Sequence, residues 1–167
     1  MAHLSLQDQV AAAKRMYPRK KRPCRFNLTI SHQKRQQVNK LCFDHFSFGQ
    51  ELLEWPLSEE IVSAIFQGCA LIGNLTAKGL THGAFFEVES FNEQKCRLKD
   101  IETGAELEMP IGNLKHWRLG YALTYCASQS RSLRDVCLWD TSHPRFTTKH
   151  LSMELGRGVC DKLVSIA

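Results

Sequence analysis

Over much of the stretch from Cys69 to Ile111 the sequence pattern has period two. Phe86 and Val88 alternate with Glu87 and Glu89. Cys96 and Leu98 alternate with Lys95, Arg97 and Lys99, and Leu107, Met109 and Ile111 alternate with Glu106 and Glu108. Side chains two apart lie on one face of a strand, so this pattern demands half-buried β-strands and excludes a helix. "DIETG" (100–104) is a glycine-containing turn between the last two runs, and "NLTAKGLTHG" (74–83) is a loop. The basic outer face of one strand then meets the acidic outer face of the next, a favourable cross-strand arrangement. The stretch 69–114 is expected to be a small antiparallel, barrel-like β module.

The flanking sequence has a different character, so the module is an insertion in an α/β frame. "FNLTI" (26–30) is a β-prone run, Ser31 is a good helix N-cap, and Val38, Leu41, Cys42 and Phe46 follow at helical spacing. "LSEEIVSAIF" (57–66) predicts a second, short helix capped by Ser58, with Glu59 and Glu60 in the first turn. After the module, "RLGYALTYCA" predicts a helix and "LRDVCLWD" (133–140) a strand. "TSHPRF" is a loop, "TTKHLSMEL" (147–155) a helix ended by Gly156 and Gly158, and "CDKLVSIA" a last short strand.

Charge is unevenly spread. The chain has 167 residues and a formal net charge of +5, and the stretch 14–25 holds Lys14, Arg15, Arg19, Lys20, Lys21, Arg22 and Arg25 without an acid. Such a cluster attracts polyanions by counterion release. It fits a solvated, flexible basic arm over 1–25 equally well. The acid-poor amino end also fits an organelle transit peptide, and "PRKKR" a nuclear signal, which points to an intracellular protein in nucleus or organelle rather than cytosol. Seven cysteines without a CxxC, most among apolar neighbours, are a reduced, intracellular pattern. Cys42, Cys69, Cys126 and Cys137 are expected in the core. The histidines are scattered, which argues against structural zinc. No run approaches the about 20 apolar residues of a membrane span.

"YALTYCASQS" (121–130) ends an apolar run with Ser128, Gln129 and Ser130. Small hydroxyls and a carboxamide there suit either a helix cap or a phosphate-reading loop. The order of segments resembles the carboxy-terminal half, the second RecA-like domain, of RecD-like and Pif-type superfamily-one DNA helicases. "YALTYCASQSRSL" (121–133) lies on that family's A-[IML]-T-x-x-K-S-Q-G-x-T motif, and "LSMELGRGV" (151–159) on its [VA]-x-L-S-R-A motif. "NLTISHQKRQQVN" (27–39) is similar to the segment that opens the second domain. The β module takes the place of the family's SH3-like insertion, with "GLTHGAFFEV" at its start.

The resemblance implies a RecA-like domain over 26–68 and 115–167, interrupted at 69–114. It implies that Thr124, Ser128 and Gln129 contact the backbone of single-stranded nucleic acid, DNA rather than RNA, assisted by Arg19, Lys20, Lys21 and Arg22. Ser130 and Arg157 would face the nucleotide, Arg157 as an arginine finger, the one catalytic residue. The departures are Ala127 for the family's Lys, Ser130 for its Gly, and Gly156 and Gly158 around Arg157. No G-x-x-x-x-G-K-[ST] occurs, so no loop cradles a triphosphate. ATP and Mg are therefore expected only with a first RecA-like domain on another polypeptide, and the chain alone is expected not to hydrolyse ATP. A working helicase half, a remnant that still binds nucleic acid, and a protein-interaction or regulatory module all fit. The departures favour the last two, and the basic cluster favours the second.

Other residues have plainer expectations. His32 and Arg35 belong to a solvent-facing first helical turn. Trp117 is packing rather than a base-stacking platform. Trp139 and Phe146 are core, and His143 and His150 are ordinary. A second motor domain without its partner is expected to expose an apolar patch near 118–130 and 147–158.

Overall fold

The computed structural model describes residues 4–58, 60–73, 84–128, 133–151 and 164–167. The chain divides into two units, residues 1–38 with 122–167, and 39–121.

The first unit is built on a four-stranded sheet. Strands β1 (Phe26–Thr29), β9 (Ala122–Thr124), β10 (Val136–Leu138) and β11 (Val164–Ile166) lie in the order β11-β10-β1-β9, and every neighbouring pair is parallel. β1 and β10 are buried along their whole length. Strands covered on both faces read as short continuous apolar runs, which explains "VCL" and the Leu28 core. Strand β1 turns into α2 (His32–Phe46) as expected. The Ser31 hydroxyl accepts the Lys34 N–H at 3.1 Å, and its carbonyl accepts the Arg35 N–H at 3.0 Å.

The amino-terminal stretch is more ordered than a flexible arm. Ser5 caps helix α1 (Leu6–Met16) by accepting the Asp8 N–H. Lys14 and Arg15 occupy its last turn, where cations suit the helix dipole. Val10 and Ala13 are buried. Helix α1 stops at Tyr17, before Pro18, as the steric restriction ahead of proline requires. Pro18 then bridges Ile166, and the Ile166 N–H donates to the Tyr17 carbonyl at 2.8 Å.

The second unit carries the alternating sequence. Strands β4 (Ala70–Gly73), β5 (Phe85–Phe91), β6 (Lys95–Asp100), β7 (Glu106–Pro110) and β8 (Trp117–Leu119) form an antiparallel sheet in the order β7-β6-β5-β4-β8. The sheet is open among the described residues, with edges at β7 and β8, so it is not a closed barrel. The expected charge pairing is present: Glu108 contacts Lys95 at 3.2 Å and Arg97 at 3.4 Å across β6 and β7. The "DIETG" turn is shaped by Asp100, whose carboxylate accepts the Glu102 and Thr103 N–H groups, and by Gly104 at φ +74°. The loop expected at 74–83 lies outside the described residues.

Two expected helices are not helices. In 57–66, residues Ala64–Ile65 form β3, paired with β2 (Leu53–Glu54). The Ser58 N–H, expected at a helix cap, donates to the Trp117 carbonyl instead. Pairing with β2 outweighs the helical spacing of Ile61 and Ile65. In 118–127 the chain runs through β8, a turn and β9. Gly120 permits this: a Cβ there would stand 3.1 Å from the Leu71 backbone, and its N–H donates to the Ala70 carbonyl. The apolar patch expected near 118–130 is likewise not exposed where described, since Leu119, Tyr121, Leu123 and Tyr125 are buried. Of the helix expected at 147–155, residues 148–151 are helical, Thr147 precedes the helix, and 152–155 lie outside the described residues.

The second unit begins and ends at one hydrogen-bonded residue. Asn39 is fully buried. Its Oδ1 accepts the Tyr121 N–H at 3.1 Å and its Nδ2 donates to the Leu119 carbonyl at 3.3 Å. Phe43 packs edge-on to Phe66, and Phe46 stacks on Tyr121. Cys42, Cys69 and Cys96 are buried there, and Cys24 and Cys137 in the first unit, but Cys126 is exposed, against expectation.

Candidate functional site

The carboxyl ends of β1, β9 and β10 form one edge of the parallel sheet, the end where α/β folds bind ligands. The chain leaves β1 toward β9 on one side and β10 toward β11 on the other. The crevice between β1 and β10 is therefore the topological switch point.

An acid of the chain itself fills that crevice. Asp140 follows β10 in the left-handed conformation, at φ +58°. Its carboxylate accepts the Ile30 N–H at 2.7 Å and the Ser31 N–H at 3.3 Å. These donors open the turn into α2, where an incoming anion would be received. A triphosphate at that point would face a carboxylate, so the crevice does not fit one. The described residues also hold no group of three or more His, Cys, Asp or Glu suited to a metal ion.

Asp135 repeats the device at the opposite end of β10. It too is left-handed, at φ +57°. Its carboxylate accepts the Arg25 N–H at 2.9 Å and the Lys20 ammonium at 3.0 Å, while its carbonyl accepts the Phe26 N–H. Partial burial pushes the Asp135 carboxyl up, but the Arg25 N–H and the Lys20 charge outweigh it and hold the group below its ordinary range. Lys20 is thus an ion-pair partner rather than a free basic side chain.

The turn after β9 explains the hydroxyls at 124–128. The Thr124 hydroxyl accepts the Ala127 N–H at 3.3 Å, and the Ser128 hydroxyl donates to the Tyr125 carbonyl at 2.7 Å. They cap a turn, not a helix. Ser128 is fully buried in this geometry. Thr124 is half-buried, and Cys126 and Ala127 are exposed at the tip. Gln129, Ser130 and Arg157 lie outside the described residues.

Tyr125 joins this turn to β10. Its N–H donates to the Thr29 carbonyl and its hydroxyl to the Trp139 carbonyl at 2.9 Å. Its ring meets Phe146 and His150. Burial, with Lys149 nearby, holds His150 below the usual imidazole range, and its Nδ1 accepts the Thr147 N–H. Phe146 is core as expected. Trp117 packs edge-on to Phe86 and is buried. Trp139 is only half-buried, and its indole N–H donates to the Asn27 carboxamide at 2.9 Å.

The basic cluster is divided among separate tasks. Arg19 lies over the Trp139 ring, 4.6 Å from its centroid, and Lys34 of α2 lies 5.2 Å from the same centroid. Lys21 and Arg22 are exposed. Of the residues expected in the first turn of α2, His32 is exposed, but Arg35 is buried at 1% exposure, against expectation. A hydrogen bond to Cys137, then burial, pushes Cys24 far above the ordinary thiol range.

Asp135, Asp140, Lys34 and Asn39 were not among the expected site residues. The only signal for the two aspartates is their position, bracketing the short run "VCLW", since Asp tolerates the left-handed region at turns.

Sequence comparison finds no matching family model and no matching curated protein. Comparison of folds does find matches. The chain is similar over 95% of its length to a Pif1 helicase solved in a study of unwinding at forked double-stranded DNA, with TM-score 0.62 and 12% identity. It is similar over 96% to Pif1 helicase from Bacteroides in complex with ADP-AlF3 and single-stranded DNA, with TM-score 0.64 and 11% identity. It is similar over 95% to Pif1 helicase from Candida albicans, with TM-score 0.65 and 11% identity. It spans less than half of each, 42%, 45% and 49% respectively. At this identity the likeness shows the fold, a mixed α/β fold with a parallel sheet resembling a helicase RecA-like domain.

Proposed function

We propose that this chain is a helicase-derived nucleic-acid-binding domain, the second RecA-like motor domain of an ATP-dependent DNA helicase, without an ATP-binding loop of its own. The observation that carries the reading is the fold likeness over nearly the whole chain to Pif1 helicases, one of them solved on single-stranded DNA. The sheet edge adds chemical support. Thr124 offers a hydroxyl there and Arg19 a positive charge, while the exposed Lys21 and Arg22 add positive charge to the same unit and Gln129 would add a carboxamide. These groups hold phosphates without reading bases.

ATP and Mg enter only if another polypeptide supplies a first RecA-like domain. Arg157 would then serve as the arginine finger, with Ser130 beside the nucleotide. Alone, the chain is expected to show no ATPase activity.

The test is anisotropy of a labelled single-stranded DNA oligomer, titrated with the purified chain across a salt series, with RNA of the same sequence in parallel. Binding that weakens steeply with salt, and weakens further in Lys21→Ala/Arg22→Ala and in Gln129→Ala, is expected. No binding at low salt overturns the reading. That result favours the alternative, a non-catalytic protein-interaction or regulatory module, for which the 89% exposed Phe48 of the second unit supplies an apolar contact point.

A further inference from the structure

Two cations share one ring at the carboxyl edge of the parallel sheet. Arg19 comes from the segment after α1, Lys34 from the first turn of α2, and both lie within about 5 Å of the Trp139 centroid. Neither forms an ion pair among the described residues, although Lys20, next to Arg19, does. Asp140 is one residue from Trp139, yet its carboxylate is directed at the Ile30 and Ser31 amides.

The arrangement carries net positive charge, two cations against the one carboxylate of Asp140. Like charges drawn to one ring repel each other. A lysine in a first helical turn also meets the positive end of the helix dipole, and the first turn of α2 contains no acid. A further anion beside these cations lowers their repulsion.

The platform itself is fixed. The Trp139 N–H donates to the Leu28 carbonyl, its carbonyl accepts from Tyr125, and its indole N–H is tied to Asn27. Asn27 is buried, and its own amide donates to the Cys24 carbonyl at 2.9 Å. Trp139 is therefore held by its edge, and the cations gather on its ring.

We infer that Arg19, Lys34 and Trp139 form a binding site for a phosphodiester of single-stranded nucleic acid, beside the switch-point crevice that Asp140 closes. This rests on the nucleic-acid reading above and adds Lys34 and Trp139 to it. A strand crossing the sheet edge brings a phosphate within reach of the guanidinium or the ammonium. Arg19 contributes planar donors and Lys34 a point charge.

The experiment compares two variants of equal charge change, Arg19→Gln/Lys34→Gln and Lys21→Gln/Arg22→Gln, in the salt-titrated DNA assay. Losing two phosphate contacts is expected to flatten the log–log salt slope of the first variant by about 1.4, since each contact on a single strand contributes about 0.7. The second variant is expected to change less. Equal losses in both mean a diffuse basic surface and overturn the site. An unchanged first variant overturns the site while leaving the proposed function standing. A wild-type chain that does not bind at all overturns the proposed function first.

A second measurement needs no charge variant. In wild-type protein labelled with 5-fluorotryptophan, the resonance missing from Trp139→Phe is expected to shift when the oligomer is added. A resonance that stays in place overturns the site. So does an equal shift with a mononucleotide at matched ionic strength, which would mark a nucleotide site rather than a strand contact.

Discussion

The two sheets of this molecule are held in register by different chemistry. In the antiparallel sheet, β4 to β7 pair with their neighbours in sequence, while β8 returns from farther along the chain to pair with β4, and turns shape the local pairing: Asp100 and Gly104 shape one turn, and the Asn92 side chain caps another. Side-chain pairing across β6 and β7 is exposed and electrostatic. In the parallel sheet no turn joins β1 to β10. Two left-handed aspartates do the corresponding work, one at each end of β10, each accepting backbone N–H groups 110 residues away in the chain. Locally paired strands can rely on turns. Strands brought together from opposite ends of a chain need side chains that reach across and tie backbone to backbone.

The comparison breaks most easily where the second unit is fastened. Asn39→Ala leaves the buried Tyr121 N–H and Leu119 carbonyl without that side chain, and is expected to cost about 3 kcal/mol. Urea denaturation with hydrogen exchange on the unit 39–121 measures it. A loss under about 1 kcal/mol would mean that the fastening is incidental.

Asp140→Ala comes next, at about 2 kcal/mol, from lost charge-assisted bonds and a left-handed backbone that alanine tolerates poorly. Faster exchange is expected first at the Ile30 and Ser31 amides, ahead of any in β5 to β7. Asp140→Asn keeps both an acceptor and the backbone preference and is expected to recover much of the loss.

Acid separates the two aspartates' region from the rest more gently. The folded-state pKa of Asp135 lies below its ordinary 3.8, so its stabilisation is complete above 3.8 and is lost as pH falls through the lower folded value. His150 is also depressed, from 6.5, so its contribution is complete above 6.5 and declines as pH falls toward its folded value. Stability measured against pH should thus fall in two steps. Asp135→Asn is expected to remove the lower step alone, and a single unchanged step in that variant would contradict the assignment.

The smallest effect belongs to the exposed pairs. Lys95 and then Arg97 hold Glu108 below the usual carboxylate range, but all three side chains are exposed and screened. Glu108→Gln is expected to leave the unfolding midpoint unresolved from wild type at about 0.15 M salt. A clear loss there would erase the contrast between the sheets.

The same contrast governs what the amino-acid sequence reveals. Alternation made β5, β6 and β7 readable, down to the facing charges, because each strand has one wet face. The strands of the parallel sheet lack that cue. "VCL" was readable as a strand, but "YALTYCA" looked like a helix, since a short apolar run has no diagnostic period. Gly120 was the available clue, and its meaning depends on the Leu71 backbone, distant in sequence. Residues at the carboxyl edge of the parallel sheet were legible only in part. Arg19 and Thr124 do lie near it, but Ser128 is turned inward and Lys20 is paired with Asp135. Trp139 looked like core because only its surroundings show that one indole edge is tied down.

Asn39 gives the insertion another significance. Because the unit opens and closes at hydrogen bonds from one side chain, its two ends are held close together, as the ends of a tight connection are. Lengthening such a connection is inexpensive, about 0.6 kcal/mol for each doubling of a flexible loop. The inserted sheet can therefore be enlarged, pruned or exchanged over evolutionary time, or by an engineer, while the strands that host it keep their register.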